Sequence, residues 1–168
     1  MAKITIEYDE LVDLAHQLWA VGKDADRIAA RALYKGAGKA ADGLRAATNG
    51  LTAVSDRHRM GDYRAKRPGY LSVTQKAGLL EGLGITSFKF SSDSVSTNVG
   101  FGGMNGLRTR KWPGGQPNRM IAAAVNHGDS SAMIRQPFIT STAEVYAEDI
   151  KEAMVEEAKA EIEKILDS

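Results

Sequence analysis

The stretch Pro117–Phe138, PNRMIAAAVNHGDSSAMIRQPF, decides how the chain is read. Pro117 has its φ fixed near a helical value and lacks the N–H that a first helical turn leaves unpaired, so it suits a helix start. The apolar run Met120–Val125 continues that helix, and Gly128 can take the left-handed conformation that closes one. One short helix is predicted, with both ends marked. Asp129–Ala132 follows as a polar loop. Then comes Arg135-Gln136-Pro137-Phe138, where Pro137 stops any preceding helix and Phe138 supplies a large apolar anchor.

Downstream, Ala143, Tyr146, Ile150, Ala153, Met154, Ala158, Ile162 and Ile165 recur at three- and four-residue steps, with acids and lysines on the opposite face. This spacing predicts a long amphipathic C-terminal helix that needs a partner surface. Upstream, a second helical pattern runs from about Asp24 to Ala47. Ile28, Ala29, Ala32, Leu33, Ala37, Ala40 and Leu44 form one face and Arg27, Arg31, Lys35, Lys39 and Arg45 surround the other. Gly36, Gly38 and Gly43 each weaken this helix by up to about 1 kcal/mol relative to Ala, so tertiary or intersubunit contacts must hold it. At the N-terminus, Ile4, Ile6 and Tyr8 alternate as in a strand. Asp9 can cap a helix bearing Leu11, Leu14, Ala15, Leu18 and Trp19, which Gly22 ends or bends.

The middle is less regular. Residues 48–74 have no clear period and carry Gly50, Gly61, Pro68 and Gly69 among Arg57, His58, Arg59, Arg64, Lys66 and Arg67; a long basic loop, mobile in the free subunit, is predicted here. Gln75–Leu83 has room for one or two helical turns. Ile85–Phe90 and Ser94–Phe101 read as two strands joined by a Ser-Asp turn. A second basic, turn-rich loop, Leu107–Gln116, holds Arg108, Arg110, Lys111 and Trp112. The fold class expected is α+β, with long N-terminal helices and a long C-terminal helix packed on a small, mainly antiparallel sheet.

The order of these elements resembles the tail-completion, or minor tail-component, family of lambdoid and related tailed phages. The resemblance rests on the short helix ending in a polar residue and Gly128, the Ser-rich loop, the Arg135-x-Pro137-Phe138 element and the amphipathic C-terminal helix. Thr74, Gly78 and Leu80 fit a Thr/Ser-x-x-x-Gly-x-Leu segment loosely, and a hairpin surrounds Val99-Gly100-Phe101. Members of that family often carry Glu before the glycine, where this chain has Asn126-His127-Gly128. The resemblance implies a structural virion protein of the neck, a head-tail connector or tail terminator. It would form a homo-oligomeric ring, often of six, at the head-proximal end of the tail, and leave a passage for DNA. It also implies neck and tail-tube proteins as partners and the host cytoplasm as the place of assembly.

Composition is compatible with this. A length of 168 residues and 43% apolar content suit one domain with a real core. The absence of cysteine excludes disulfides, thiolate zinc sites and cysteine nucleophiles. No run approaches the roughly 20 apolar residues that span a bilayer, so no membrane partner is expected. Net charge is +1, but residues 23–119 hold 17 Lys/Arg against 7 Asp/Glu, whereas residues 144–168 hold 9 acids against 3 bases.

His16, His58 and His127 lack metal-ligand spacing, no Gly-x-Ser-x-Gly elbow is present, and Gly100-Phe101-Gly102-Gly103 lacks the Lys-Ser/Thr of a phosphate loop. Neither a catalytic centre nor a cofactor or metal is expected. The basic residues Arg57, Arg59, Arg64, Lys66 and Arg67, near Tyr63, and Arg108, Arg110 and Lys111, beside Trp112, combine phosphate-neutralising cations with rings that stack on bases. They are candidate contacts for channel DNA or a partner. The same residues support a rival reading as a small nucleic-acid-binding module, set against their serving as solvated loops.

Overall fold

The computed structural model describes residues 3–5, 22–91, 94–129 and 132–166. Ile6–Tyr8, the Asp9 cap, the helix expected over Leu11–Trp19, His16 and the Ser92-Asp93 turn lie outside the described residues, as do Ser130 and Ser131. The architecture is α+β, as the residue pattern predicts. A strand β1 (Lys3–Thr5) and a 3-10 turn (Gly22–Asp24) precede the long helix α1 (Ala25–Gly50). Then follow β2 (Ala53–Val54), α2 (Asp56–Ala65), β3 (Leu71–Ser72) and α3 (Val73–Gly82). Next come β4 (Leu83–Ile85), β5 (Lys89–Phe90), β6 (Val95–Ser96), β7 (Asn98–Phe101), α4 (Asn118–His127) and α5 (Phe138–Leu166).

Helices α1 and α5 run antiparallel, with Arg31 meeting Glu161, Gly36 beside Ile150 and Met154, and Gly43 beside Thr142 and Tyr146. Two of the three glycines that cost this helix propensity, Gly36 and Gly43, are the points of contact. A Cβ on Gly36 would lie 2.5 Å from Met154 Cγ, and one on Gly43 would lie 3.0 Å from both Thr142 Cγ2 and Tyr146 Cδ2. The small stripe therefore lets the two backbones approach closely enough to bury Ile28, Leu33, Leu44, Ile150 and Met154. Each such side chain contributes about 1.5–3 kcal/mol relative to exposure.

The sheet behind this pair is antiparallel, in the order β1-β7-β4, with Ile4 opposite Val99 and Leu83 opposite Phe101. The hairpin expected over 85–101 forms as two separate ladders: β4 pairs with β7, and β5 with β6 further out, Phe90 opposite Val95. A third small ladder, β2 with β3, is parallel.

The segment 48–74, expected as a loop, is instead β2, α2 and β3 following the last turn of α1. Its helix is locally signalled, since Ser55 caps α2 by accepting from the His58 N–H, and Lys66 at φ 52 closes it. The apolar period fails because the inward residues of α2 are polar, Arg59 and Asp62. Helix α3 carries a full capping box, with Ser72 and Gln75 exchanging side-chain and backbone hydrogen bonds. The last turn of α1 is closed from a distance by Lys76 Nζ, which donates to the carbonyls of Asn49 and Leu51 at 2.7 and 2.9 Å.

The two kinds of glycine in α1 should respond oppositely to substitution. Nothing lies within 4 Å of a Cβ on Gly38, so Gly38→Ala should stabilise by about 0.5–1 kcal/mol through helix propensity. Gly43→Val should destabilise by about 1–3 kcal/mol as it forces Thr142 and Tyr146 away. Chemical denaturation of both variants checks this; equal shifts of the same sign would show that α5 does not rest on Gly43.

Candidate functional site

The Pro117–Phe138 stretch is the hub where the remaining elements meet. Pro117 occupies the N-cap of α4 and not its first turn, and Asn118 behind it is buried. The Asn118 amide Nδ2 donates to the carbonyls of Gly78 and Gly102 at 2.7 and 2.8 Å, tying α4 to α3 and to the end of β7. Gly78 of the Thr74-Gly78-Leu80 pattern is accordingly a contact point, with no room for a side chain beside Asn105. Leu79 fills the core, whereas Leu80 is half-buried.

At the other end, Gly128 donates its N–H to the Ala124 carbonyl at 2.8 Å, but its φ of 79° and ψ of 158° are not left-handed helical as expected. This extended positive-φ region is open to glycine alone. It turns the chain so that the stem of Arg135 lies over Gly128, where an added Cβ would come within 3.0 Å of Arg135 Cβ. Gln136 then bridges Thr52, accepting from its N–H at 2.8 Å and donating to its carbonyl at 3.2 Å. Pro137 is exposed. Phe138 is buried against Phe101, ring centroids 5.6 Å apart.

Helix α5 starts without a local capping side chain, because Pro137 precedes it. Asn126, buried at the end of α4, supplies the cap: its Oδ1 accepts from the N–H groups of Ile139 and Thr140 at 2.9 and 3.1 Å. One side chain thus fixes the start of the longest helix. Sequence reasoning missed it, because the usual signal lies one residue before the helix and this cap lies 13 residues away from Ile139.

The basic candidates divide. Arg59, expected as a DNA or partner contact, is 0% exposed and cannot reach either. Its Nη2 donates to the Ala132 carbonyl, and its guanidinium stacks 4.0 Å over the Tyr63 ring. Gly69 lies against Asp62 and Arg59, donates to Ala132 and accepts from Ile134, so α2 is latched onto the hub. Asp62 is buried beside them and receives Arg67 Nε at 2.7 Å, with His58 Nε2 3.6 Å away. The Arg67 hydrogen bond holds the Asp62 carboxyl below its ordinary range against burial, which pushes it up, and the charges of Arg67, His58 and Arg59 lower it further.

Arg57, Arg64, Lys66, Arg108, Arg110 and Lys111 are exposed, and Arg67 is exposed beyond its ion pair. The two basic segments adjoin at their bases. The Tyr63 hydroxyl accepts from Gln75 Nε2 at 3.1 Å and from Gln116 Nε2 at 3.3 Å, joining the end of α2 to the end of the second basic loop. That loop is closed by reciprocal backbone bonds between Thr109 and Trp112, and Lys111 Nζ lies 5.7 Å over the Trp112 ring. His127 is exposed at the last position of α4. Among the described residues, no group of three or more His, Asp or Glu side chains is placed to hold a metal ion, and no helix is long and apolar enough to cross a membrane.

No family model, curated protein or solved structure matches this chain.

Burial separates the arginines of α2 by consequence. Arg59→Ala should lower stability by about 2–4 kcal/mol, since it empties a filled site and leaves the Ala132 carbonyl with the Gly69 N–H as its one remaining donor, whereas Arg57→Ala should stay within about 0.5 kcal/mol of the parent. Denaturant midpoints measure both; similar values would return this segment to a solvated loop.

Acid should also weaken the fold. Lys164 and Arg31 hold Glu161 low against burial, and hydrogen bonds from Ser72 and Thr74 together outweigh the burial that raises Asp56. A carboxyl depressed in the folded state stabilises it above the unfolded value of about 4, and that contribution is lost as pH falls through the folded value. Stability should therefore fall from about pH 5 downward, and less steeply in Asp62→Asn, which should already be weaker at pH 7. An unchanged acid slope in that variant would remove Asp62 from the account.

Proposed function

We propose that this chain is a non-enzymatic virion protein of the phage neck or tail-completion type, whose copies join into a ring at the head-proximal end of the tail. The ring would connect head and tail and leave a passage for DNA. The observation that carries this reading is the order of elements along the sequence, which resembles that family from the Thr74-Gly78-Leu80 segment and the Val99–Phe101 hairpin through the Gly128 and Pro137-Phe138 turn to the C-terminal helix. The geometry supports it in one respect: Gly128 and Phe138, which carry the resemblance, and the neighbouring Asn118 and Asn126, which do not, hold separate elements in fixed relation, as a load-transmitting subunit requires.

Head-to-tail contacts between unlike surfaces close into rings when the rotation permits. The exposed cations Arg57, Arg64, Lys66, Arg67, Arg108, Arg110 and Lys111 would face channel DNA or a neighbouring protein, with Arg59 removed from that set by its burial. Exposed ion pairs are worth about 0–1 kcal/mol each and are screened beyond roughly 8 Å at physiological salt, so apolar contacts must carry most of the affinity.

A second reading, a small nucleic-acid-binding module, is favoured by the adjoining of the two basic segments through Tyr63 and Gln116. Light scattering of the purified protein at low and high salt, alone and with neck and tail-tube proteins, separates the two. A discrete ring-sized species, weakened but not abolished by salt, is expected. A strict monomer under every condition, with tight and steeply salt-dependent DNA affinity, would overturn the ring and favour the module.

A further inference from the structure

An open apolar groove of about 270 Å³ runs between the C-terminal half of α1 and the start of α5. Gly43, Ala46 and Ala47 form one wall, and Phe138, Thr142, Val145 and Tyr146 the other. It exists because the α1 residues here are too small to fill the space that the rings of α5 hold open. Val145, on its rim, is 72% exposed. For scale, a cavity of about 150 Å³ suffices to hold a benzene molecule.

A second apolar feature stands elsewhere on the molecule. The outer hairpin β5–β6 presents Phe90 at 60% exposure, although a ladder of two residue pairs gains little from an aromatic ring left in water. The base of this hairpin rests on the N-terminal half of α1, where the Phe88 and Tyr34 rings lie 6.3 Å apart. Tyr34 and Ala46 are separated by about 18 Å along the helix, at 1.5 Å per residue. Groove and hairpin thus occupy different ends of one rigid rod.

Charge distinguishes the two features as well. Glu144 and Glu148 are exposed on either side of Val145, and neither has an ion pair among the described residues. Lys89, next to Phe90, is also exposed and has none. One feature is a projecting ring with a cation beside it. The other is an apolar recess with two acids at its rim.

We propose that the β5–β6 hairpin of one copy docks in the α1–α5 groove of the next, with Phe90 entering between Ala46, Ala47 and Val145 and Lys89 meeting Glu144 and Glu148. This inference rests on the self-association proposed above and names its contact. Because the two surfaces differ and lie apart on the subunit, the contact is head-to-tail, and each copy offers one of each. Burial of the ring supplies the affinity and the rim charges set its orientation and salt dependence.

The test uses Phe90→Asp, which spoils the hairpin, and Val145→Asp, which spoils the groove, under conditions in which the parent protein assembles. Each variant alone should fall to the mass of a single subunit with an unchanged melting temperature, since both positions are exposed. Mixed in equal amounts they should form a dimer and nothing larger, because one intact hairpin and one intact groove remain between them. As a readout that does not depend on these charges, the chain has no cysteine. A mixture of Ser91→Cys and Ser141→Cys should accordingly give a cross-linked pair with a short bis-maleimide, and neither variant should do so alone. If the parent forms rings but the Asp variants keep them, or the mixed cysteine variants fail to cross-link, this contact is wrong and the ring reading stands. If the parent never assembles, with or without neck and tail-tube proteins, both fall.

Discussion

The close approach of α1 and α5 at Gly36 and Gly43 is the constraint on which the rest of the structure depends. With nothing but hydrogen facing Met154, Ile150, Thr142 and Tyr146, the helices meet nearly backbone to side chain, and the middle of the α5 stripe, Ile150, Ala153, Met154 and Ala158, is buried with its ends half-buried. The antiparallel pair then fixes where Phe138 must lie, and Phe138 in turn meets Phe101 at the end of the central strand. A glycine-poor version of α1 would be a better isolated helix and a worse partner. The fold trades local propensity for contact.

Around that pair, polar side chains do the positioning. Asn126 caps α5, Asn118 ties α4 to two other elements, Gln136 pairs with Thr52, and Lys76 closes α1. All four act across the chain, and three of the four belong to Pro117–Phe138. Arg59 adds a fifth such tie, from the centre of α2 to Ala132. Buried polar groups of this kind are costly when unpaired and strongly directional when paired, so they define one arrangement of elements that apolar contacts alone would leave looser.

What the residue pattern made legible follows from this division. The stripe of α5, the helix expected over about Asp24–Ala47 and the anchor at Phe138 are periodic or local features, and they read correctly to within a few residues. Gly128 marks a turn, but in an extended positive-φ conformation and not the left-handed one expected. The helix over 56–65 was hidden because its buried face is Arg59 and Asp62, so a search for apolar spacing sees only a charged run. The reading of Arg59 as a surface cation failed for the same reason: its partner lies 73 residues away, and nothing near it in sequence announces the burial. Asn126 could be recognised only once α4 and α5 are placed end to end. The exposed cations of both basic segments could be listed from sequence; their meeting through Tyr63 and Gln116 could not.

On the proposed reading, these ties make the subunit stiff enough to carry unlike surfaces at fixed separation, which is what separates a closed ring from an open chain of copies. Negative-stain electron microscopy of the purified protein, alone and mixed with neck and tail-tube proteins, tests that most directly. The account predicts rings of one subunit number with a central opening. Isolated subunits or two-fold dimers in every mixture would contradict it.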